Sequence, residues 1–195
     1  MKSKKLPLIL TVAAVVYTLL AWLVDRQAIG AGGTMVGLAH INQVLTPGGL
    51  NRFWFDLTQV LAYVAMALVF VRAGYCLFVR KKIDFAFFAM AAVAVVLYVV
   101  FDKLLILNYR PVIMDVELES SYPSTHTLVI CTFFGMTAFV HGEKTWMRWA
   151  ILGIALFGAV ARLLSGVHWF TDIIGGILIS ATLVSWYVAL RGKDQ

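Results

Sequence analysis

Six apolar stretches, each close to the length that crosses a bilayer, leave this chain little else to be built from. They run Leu6 to Val24, Leu57 to Val79, Phe85 to Leu107, Ser124 to Val140, Met147 to Leu164 and Phe170 to Leu190. A spanning helix needs about 20 mostly apolar residues, and six of them consume most of 195 residues. The expected fold is all-α: one integral membrane bundle of six transmembrane helices, a single domain over residues 1–195. Composition agrees, with 62% hydrophobic and 13% charged residues, against about 25% charged in a soluble domain. A soluble globule, a disordered chain and a disulfide scaffold are excluded. Cys76 and Cys131 both lie inside apolar runs and read as packing residues.

The net charge of +6 does not point to nucleic acid, because the basic residues gather at the ends of the apolar stretches. Such clustering sets membrane orientation. With the N-terminus cytoplasmic, ten of the sixteen lysines and arginines fall on the inner side and five on the outer, with Arg72 inside the second stretch. The expected topology has both termini cytoplasmic. The first stretch reads as a span rather than a signal peptide, since its core exceeds the usual length of about 7–15 residues. Between Asp25 and Asp56 lies the longest outer segment. Its glycines, the apolar run Met35 to Leu38, and Phe53, Trp54 and Phe55 predict a short interfacial helix followed by an aromatic collar.

Ionisable groups at membrane depth are costly, so their positions are informative. Three clusters reach the outer face in this topology. KLLILNYRP holds Lys103 and Arg110, seven residues apart, which share a face if the helix continues; Pro111 ends it. Taken alone, two cations snorkelling to headgroups explain this cluster. YPSTHT opens the fourth stretch with Ser124 as N-cap, Thr125 and His126, and a helix start is a natural anion site. ARLLSGVHWFTD holds Arg162, His168 and Asp172. The i, i+4 spacing lets the carboxylate accept from one ring nitrogen, leaving the other as an oriented base or nucleophile. Other polar residues carry less. His40 and His141 read as bystanders, Arg72 as a snorkelling cation, and Asp115, Glu117 and Glu119 as a solvated strip. That strip lacks the histidines a metal site needs, so no metal and no cofactor are expected.

Three cations, a helix N-terminus, two histidines and a carboxylate on one membrane face suit a phosphate group and its transfer. The order Lys, six residues, Arg-Pro; then Pro-Ser-x-His; then Arg, five residues, His, three residues, Asp resembles the type 2 phosphatidic acid phosphatase superfamily. The resemblance implies His168 as a nucleophile forming a phosphohistidine, Asp172 as its orienting partner, and His126 as the acid and then base. It implies phosphate binding by Lys103, Arg110, Ser124, Thr125 and Arg162, without a metal. Thr125 stands where the family usually has glycine and Ala161 where it usually has serine, which implies a changed rate or substrate preference. The expected partner is a lipid phosphate or diphosphate in the cell membrane, hydrolysed at the outer face. A lipid phosphotransferase on the same site, or a non-catalytic lipid-binding or transport protein, is the alternative.

Overall fold

The computed structural model describes residues 4–30, 42, 44–79, 84–105, 107–112, 120–140 and 144–191. The interfacial helix expected near Met35 to Leu38, His40, His141, and the strip of Asp115, Glu117 and Glu119 lie outside these residues.

Among the described residues there are six long helices: α1 Lys5–Gly30, α2 Arg52–Phe78, α3 Phe85–Val99, α4 Thr125–Val140, α5 Thr145–Leu164 and α6 Phe170–Arg191. Five are long and apolar enough to cross a membrane, α3 through its extension to Leu104, while α4 is a shorter apolar helix of 16 residues. The fold is an all-helical membrane bundle, as expected. Helix α4 is the central one and packs against α2, α3, α5 and α6. Ten of its sixteen residues are buried, including Leu128, Ile130, Phe133 and Met136, and the other six are half-buried. A helix sheathed by protein need not match the bilayer thickness. The outer helices instead turn Leu6, Ile9, Val12, Phe70, Phe78, Val96 and Leu156 outward, as lipid-facing surfaces require.

Because lipid is as apolar as leucine, helix association here relies on close packing and interhelical hydrogen bonds. Gly158 of α5 lets Ile130 of α4 come so near that a Cβ there would stand 2.7 Å from its Cγ2. Thr132 of α4 donates to Ser180 of α6 at 3.1 Å, and Ser180 donates on to the Leu128 carbonyl at 3.1 Å. Both cysteines are free, and the Cys131 thiol donates to the Ala155 carbonyl at 3.5 Å, consistent with packing roles.

Two helix boundaries and one cation differ from expectation. Helix α2 begins at Arg52, before the apolar stretch, because the Asn51 side chain accepts from the Trp54 amide at 3.4 Å and caps it. Phe53, Trp54 and Phe55 are therefore in the first helical turn rather than in a loop. Helix α3 passes into a π-helical turn, Val100–Leu104, and stops there instead of at Leu107. Arg72 is not a snorkelling cation: it pairs with Asp84 at 2.9 Å. Asp84 also caps α3 through the Phe87 amide at 3.2 Å and accepts from the Tyr187 hydroxyl at 3.2 Å. One carboxylate thus ties α2, α3 and α6 together.

The opposite end of the bundle holds the turn between α5 and α6. Gly166 there has φ +76°, and a Cβ on it would stand 2.0 Å from the Gly49 carbonyl oxygen. The Asn51 amide donates to the Ser165 carbonyl at 3.0 Å, so the segment before α2 is clamped onto this turn. Gly166→Ala combines a left-handed conformation with a steric clash. It is expected to destabilise the protein by about 1–3 kcal/mol, read as a lower melting temperature in detergent; an unchanged temperature would contradict the clamp.

Candidate active site

The Gly166 turn leads directly into His168, which is 1% exposed. Two residues later α6 starts, and its first amides are already occupied. Trp169 donates to Asp172 Oδ2 at 2.8 Å, Phe170 to Thr46 Oγ1 at 3.1 Å and Thr171 to Asn42 Oδ1 at 3.0 Å. Residues 42 and 46, remote in sequence, act as caps for this helix. Helix α4 starts differently. Ser124 Oγ caps it by accepting from the Thr127 amide at 3.4 Å and the Thr127 hydroxyl at 3.0 Å, as its position suggests. The amides of Thr125 and His126 are the first of that helix and have no acceptor within it by geometry.

His168 and Asp172 do not meet as the i, i+4 spacing implies. His168 precedes the helix, and its Nδ1 lies 3.7 Å from Asp172 Oδ2, too far for a direct hydrogen bond. Ser121 stands between them. Its carbonyl accepts from His168 Nδ1 at 3.0 Å, and its hydroxyl lies 3.2 Å from the same nitrogen while donating to Asp172 Oδ2 at 2.5 Å. Asn108 donates to the other carboxylate oxygen at 3.0 Å. With Nδ1–H committed to Ser121, the lone pair is on Nε2, which faces the Arg162 guanidinium at 3.4 Å. Burial first, then the charges of Arg162 and Arg110, hold the His168 pKa well below its usual value, so the ring is neutral.

Arg162 is fully buried at the end of α5. It donates to Thr58 Oγ1 at 3.3 Å, and its guanidinium sits 5.1 Å from the centre of the Phe55 ring. Both contacts come from α2. The next residue, Gln59, meets His126: its Oε1 is 2.6 Å from Nε2. Arg110 donates to the Ser120 carbonyl at 3.4 Å, at a short antiparallel bridge between Tyr109 and Ser120. That pairing, with the Ser121 amide on the Asn108 carbonyl at 3.1 Å, brings the first and second motifs side by side. The two imidazoles and the guanidiniums of Arg162 and Arg110 lie within electrostatic reach of one another.

Lys103 departs from expectation. The π turn breaks the regular spacing to Arg110, and the lysine side chain is 72% exposed with its ammonium 2.9 Å from Asp102. It stands at the rim rather than among the buried groups.

Helix α6 approaches this site closely because of two glycines. A Cβ on Gly175 would stand 2.4 Å from the Tyr122 ring, and one on Gly176 would stand 3.1 Å from the Ser124 carbonyl. Tyr122 is buried and its hydroxyl bonds Thr18 of α1 at 2.8 Å. Ser121, Asn108, Thr58 and Gln59 are absent from the motif reading. Thr58 and Gln59 carried a signal all the same, since they are strongly polar residues inside an apolar stretch.

A neutral imidazole with one lone pair, held beside two guanidiniums and a second imidazole, suits attack on an anionic electrophile such as phosphorus. The chain is 31% identical over 90 residues, 40% of its length, to the bacitracin transport permease protein BcrC of Bacillus licheniformis; the match spans 43% of that relative. It is 28% identical over 169 residues, 80% of this chain and 76% of the other, to an undecaprenyl-diphosphatase of Sulfolobus acidocaldarius. Its fold matches the crystal structure of a transmembrane PAP2 type phosphatidylglycerolphosphate phosphatase from Bacillus subtilis. That match has a TM-score of 0.66 and 17% identity, over 97% of this chain and 98% of the other. Residues 86–195, more than half the chain, match the model of the PAP2 superfamily, and the protein belongs to that family.

Proposed function

We propose that this protein is a membrane lipid phosphatase that works through a phosphohistidine on His168, without a metal. The observation that carries the reading is the tethering of His168: Nδ1 is bound to Ser121, and Nε2 faces Arg162 at 3.4 Å. The substrate phosphoryl group lies between Nε2, Arg162, Arg110 and the first amides of α4. The lone pair of Nε2 attacks phosphorus, the P–N bond forms and the bond to the leaving oxygen breaks. His126 gives that oxygen its proton. Water then attacks the phosphohistidine, returns a proton to His126, and the P–N bond breaks to release inorganic phosphate. Asp172, acting through Ser121, stabilises the positive charge that grows on His168. Ser124 and Thr125 shape the helix start around the phosphate. Lys103, at the exposed rim, is assigned to the outer oxygens of the substrate.

A polyprenyl diphosphate is the first substrate to test, because the relative aligned over 169 residues is an undecaprenyl-diphosphatase. A phospholipid monophosphate is the second, from the name of the Bacillus subtilis structure. The excess of basic residues at the other end of the bundle supports a site on the outer face, with both termini cytoplasmic.

The test is phosphate release in mixed micelles from undecaprenyl diphosphate, phosphatidylglycerophosphate and phosphatidic acid, with EDTA present. Wild type is expected to release phosphate and His168→Ala none. Release that needs added metal, or survives in His168→Ala, would sink the reading. Ser121→Ala is expected to lower kcat by about 10–100-fold, the worth of a hydrogen bond to a charged group. In that background Asp172→Asn should cost less than it does alone, because both act on one ring. Fully multiplicative losses would separate Ser121 from Asp172.

A further inference from the structure

Helix α2 lies outside the residues matched to the family, 86–195, yet it reaches the site. Gln59 is a half-buried amide in an apolar stretch, where a polar group costs free energy unless it is hydrogen-bonded. Its oxygen stands 2.6 Å from His126 Nε2. A carbonyl oxygen can only accept, so Nε2 carries a hydrogen. The other ring nitrogen, Nδ1, is buried and has no hydrogen-bond partner among the described residues. A buried nitrogen without a partner is costly, a cost relieved when a ligand oxygen meets it.

We propose that Gln59 is a positioning residue for His126: it holds Nε2–H and turns Nδ1 to the leaving oxygen of a phosphate ester. This rests on the phosphatase reading above. All proton exchange then passes through one atom. A singly protonated phosphate ester brings the second proton to Nδ1, and in the first half-reaction Nδ1–H passes it to the departing oxygen as the P–O bond breaks and the His168 P–N bond forms. In the second, Nδ1 takes a proton from the attacking water as the P–O bond forms and the P–N bond breaks. Nε2–H stays on Gln59 throughout. A neutral acceptor suits this role, since it orients the ring and steadies its charged form without taking the proton.

The experiment compares kcat/KM for phosphatidic acid, whose alkoxide leaving group needs a proton, with that for 4-nitrophenyl phosphate, whose leaving group does not. Gln59→Leu keeps the volume and removes the acceptor. It is expected to lose about 10–100-fold on phosphatidic acid and less than about 3-fold on the aryl ester, since acid catalysis matters only to the poor leaving group. Gln59→Glu, which keeps an acceptor but not a neutral one, is expected to fall between Gln59→Leu and wild type on the lipid. Equal losses on both substrates, or no loss from Gln59→Leu, would overturn the assignment while leaving the phosphatase reading intact. A wild type that releases phosphate from no lipid of the panel overturns that reading and this inference together. Melting temperatures of both variants separate misfolding from mispositioning, because an unfolded variant loses both substrates.

Discussion

A carboxylate removed from water has to be given hydrogen bonds, and the site is organised around that requirement at Asp172. The residue is fully buried. It accepts from the Ser121 hydroxyl, the Trp169 amide and the Asn108 side chain, three groups from three separate stretches of chain. Each bond fixes something the reaction depends on. Trp169 sets the bend that carries His168 out of the helix, Asn108 draws in the segment that bears Arg110, and Ser121 reaches the imidazole. Leaving any one of the three unmade removes a hydrogen bond to a buried carboxylate, worth about 1.5–3 kcal/mol. Assembly of the site and satisfaction of this one carboxylate are therefore the same event.

Part of this was legible in the sequence. The six apolar stretches correspond to the six helices, and motif order located the residues that surround His168, because spacing along a chain survives folding. What spacing could not convey is where regular geometry fails. The i, i+4 argument for His168 and Asp172 assumes a helix that starts two residues too early, and it hides Ser121. The shared face of Lys103 and Arg110 assumes a helix that continues, whereas Val100–Leu104 is a π turn and Leu105 leaves it in extended conformation, φ −118° and ψ 82°. Arg72 looked like an isolated cation because its partner, Asp84, belongs to the start of the next helix, 12 residues away. Each error has one source: side-chain pairing across elements is invisible to periodicity within an element.

The two ends of the bundle use charge in different ways. At the end bearing Asp84, the described polar side chains pair mainly across helices. Asp84 takes Arg72, Tyr187 and the start of α3, while Arg191 donates to the Phe139 and Val140 carbonyls that finish α4. That end is a staple. At the His168 end, Nε2 of His168 faces Arg162, and Nδ1 of His126 is buried without a hydrogen-bond partner among the described residues. Among the described residues, buried polar atoms without a hydrogen-bond partner occur at both ends, Arg72 Nε at one and His126 Nδ1 at the other, so what distinguishes the His168 end is that the motif residues meet there.

The division of labour between helices follows from the same contacts. Helices α4, α5 and α6 bring His126, Arg162 and Asp172, and the segment after α3 brings Asn108 and Arg110; all lie within the matched residues 86–195. Helices α1 and α2 bring no motif residue but hold those that do. Thr18 secures Tyr122 beside the second motif, Tyr17 donates to the Thr171 carbonyl at 3.1 Å, and Thr58 and Gln59 meet Arg162 and His126. These are hydroxyls and an amide set in apolar helices, where polar side chains persist only with a partner. The reacting groups are thus held from a part of the chain that carries none of them. Substitutions in α1 and α2 can retune the positions of His126 and Arg162 while leaving the motif residues unchanged.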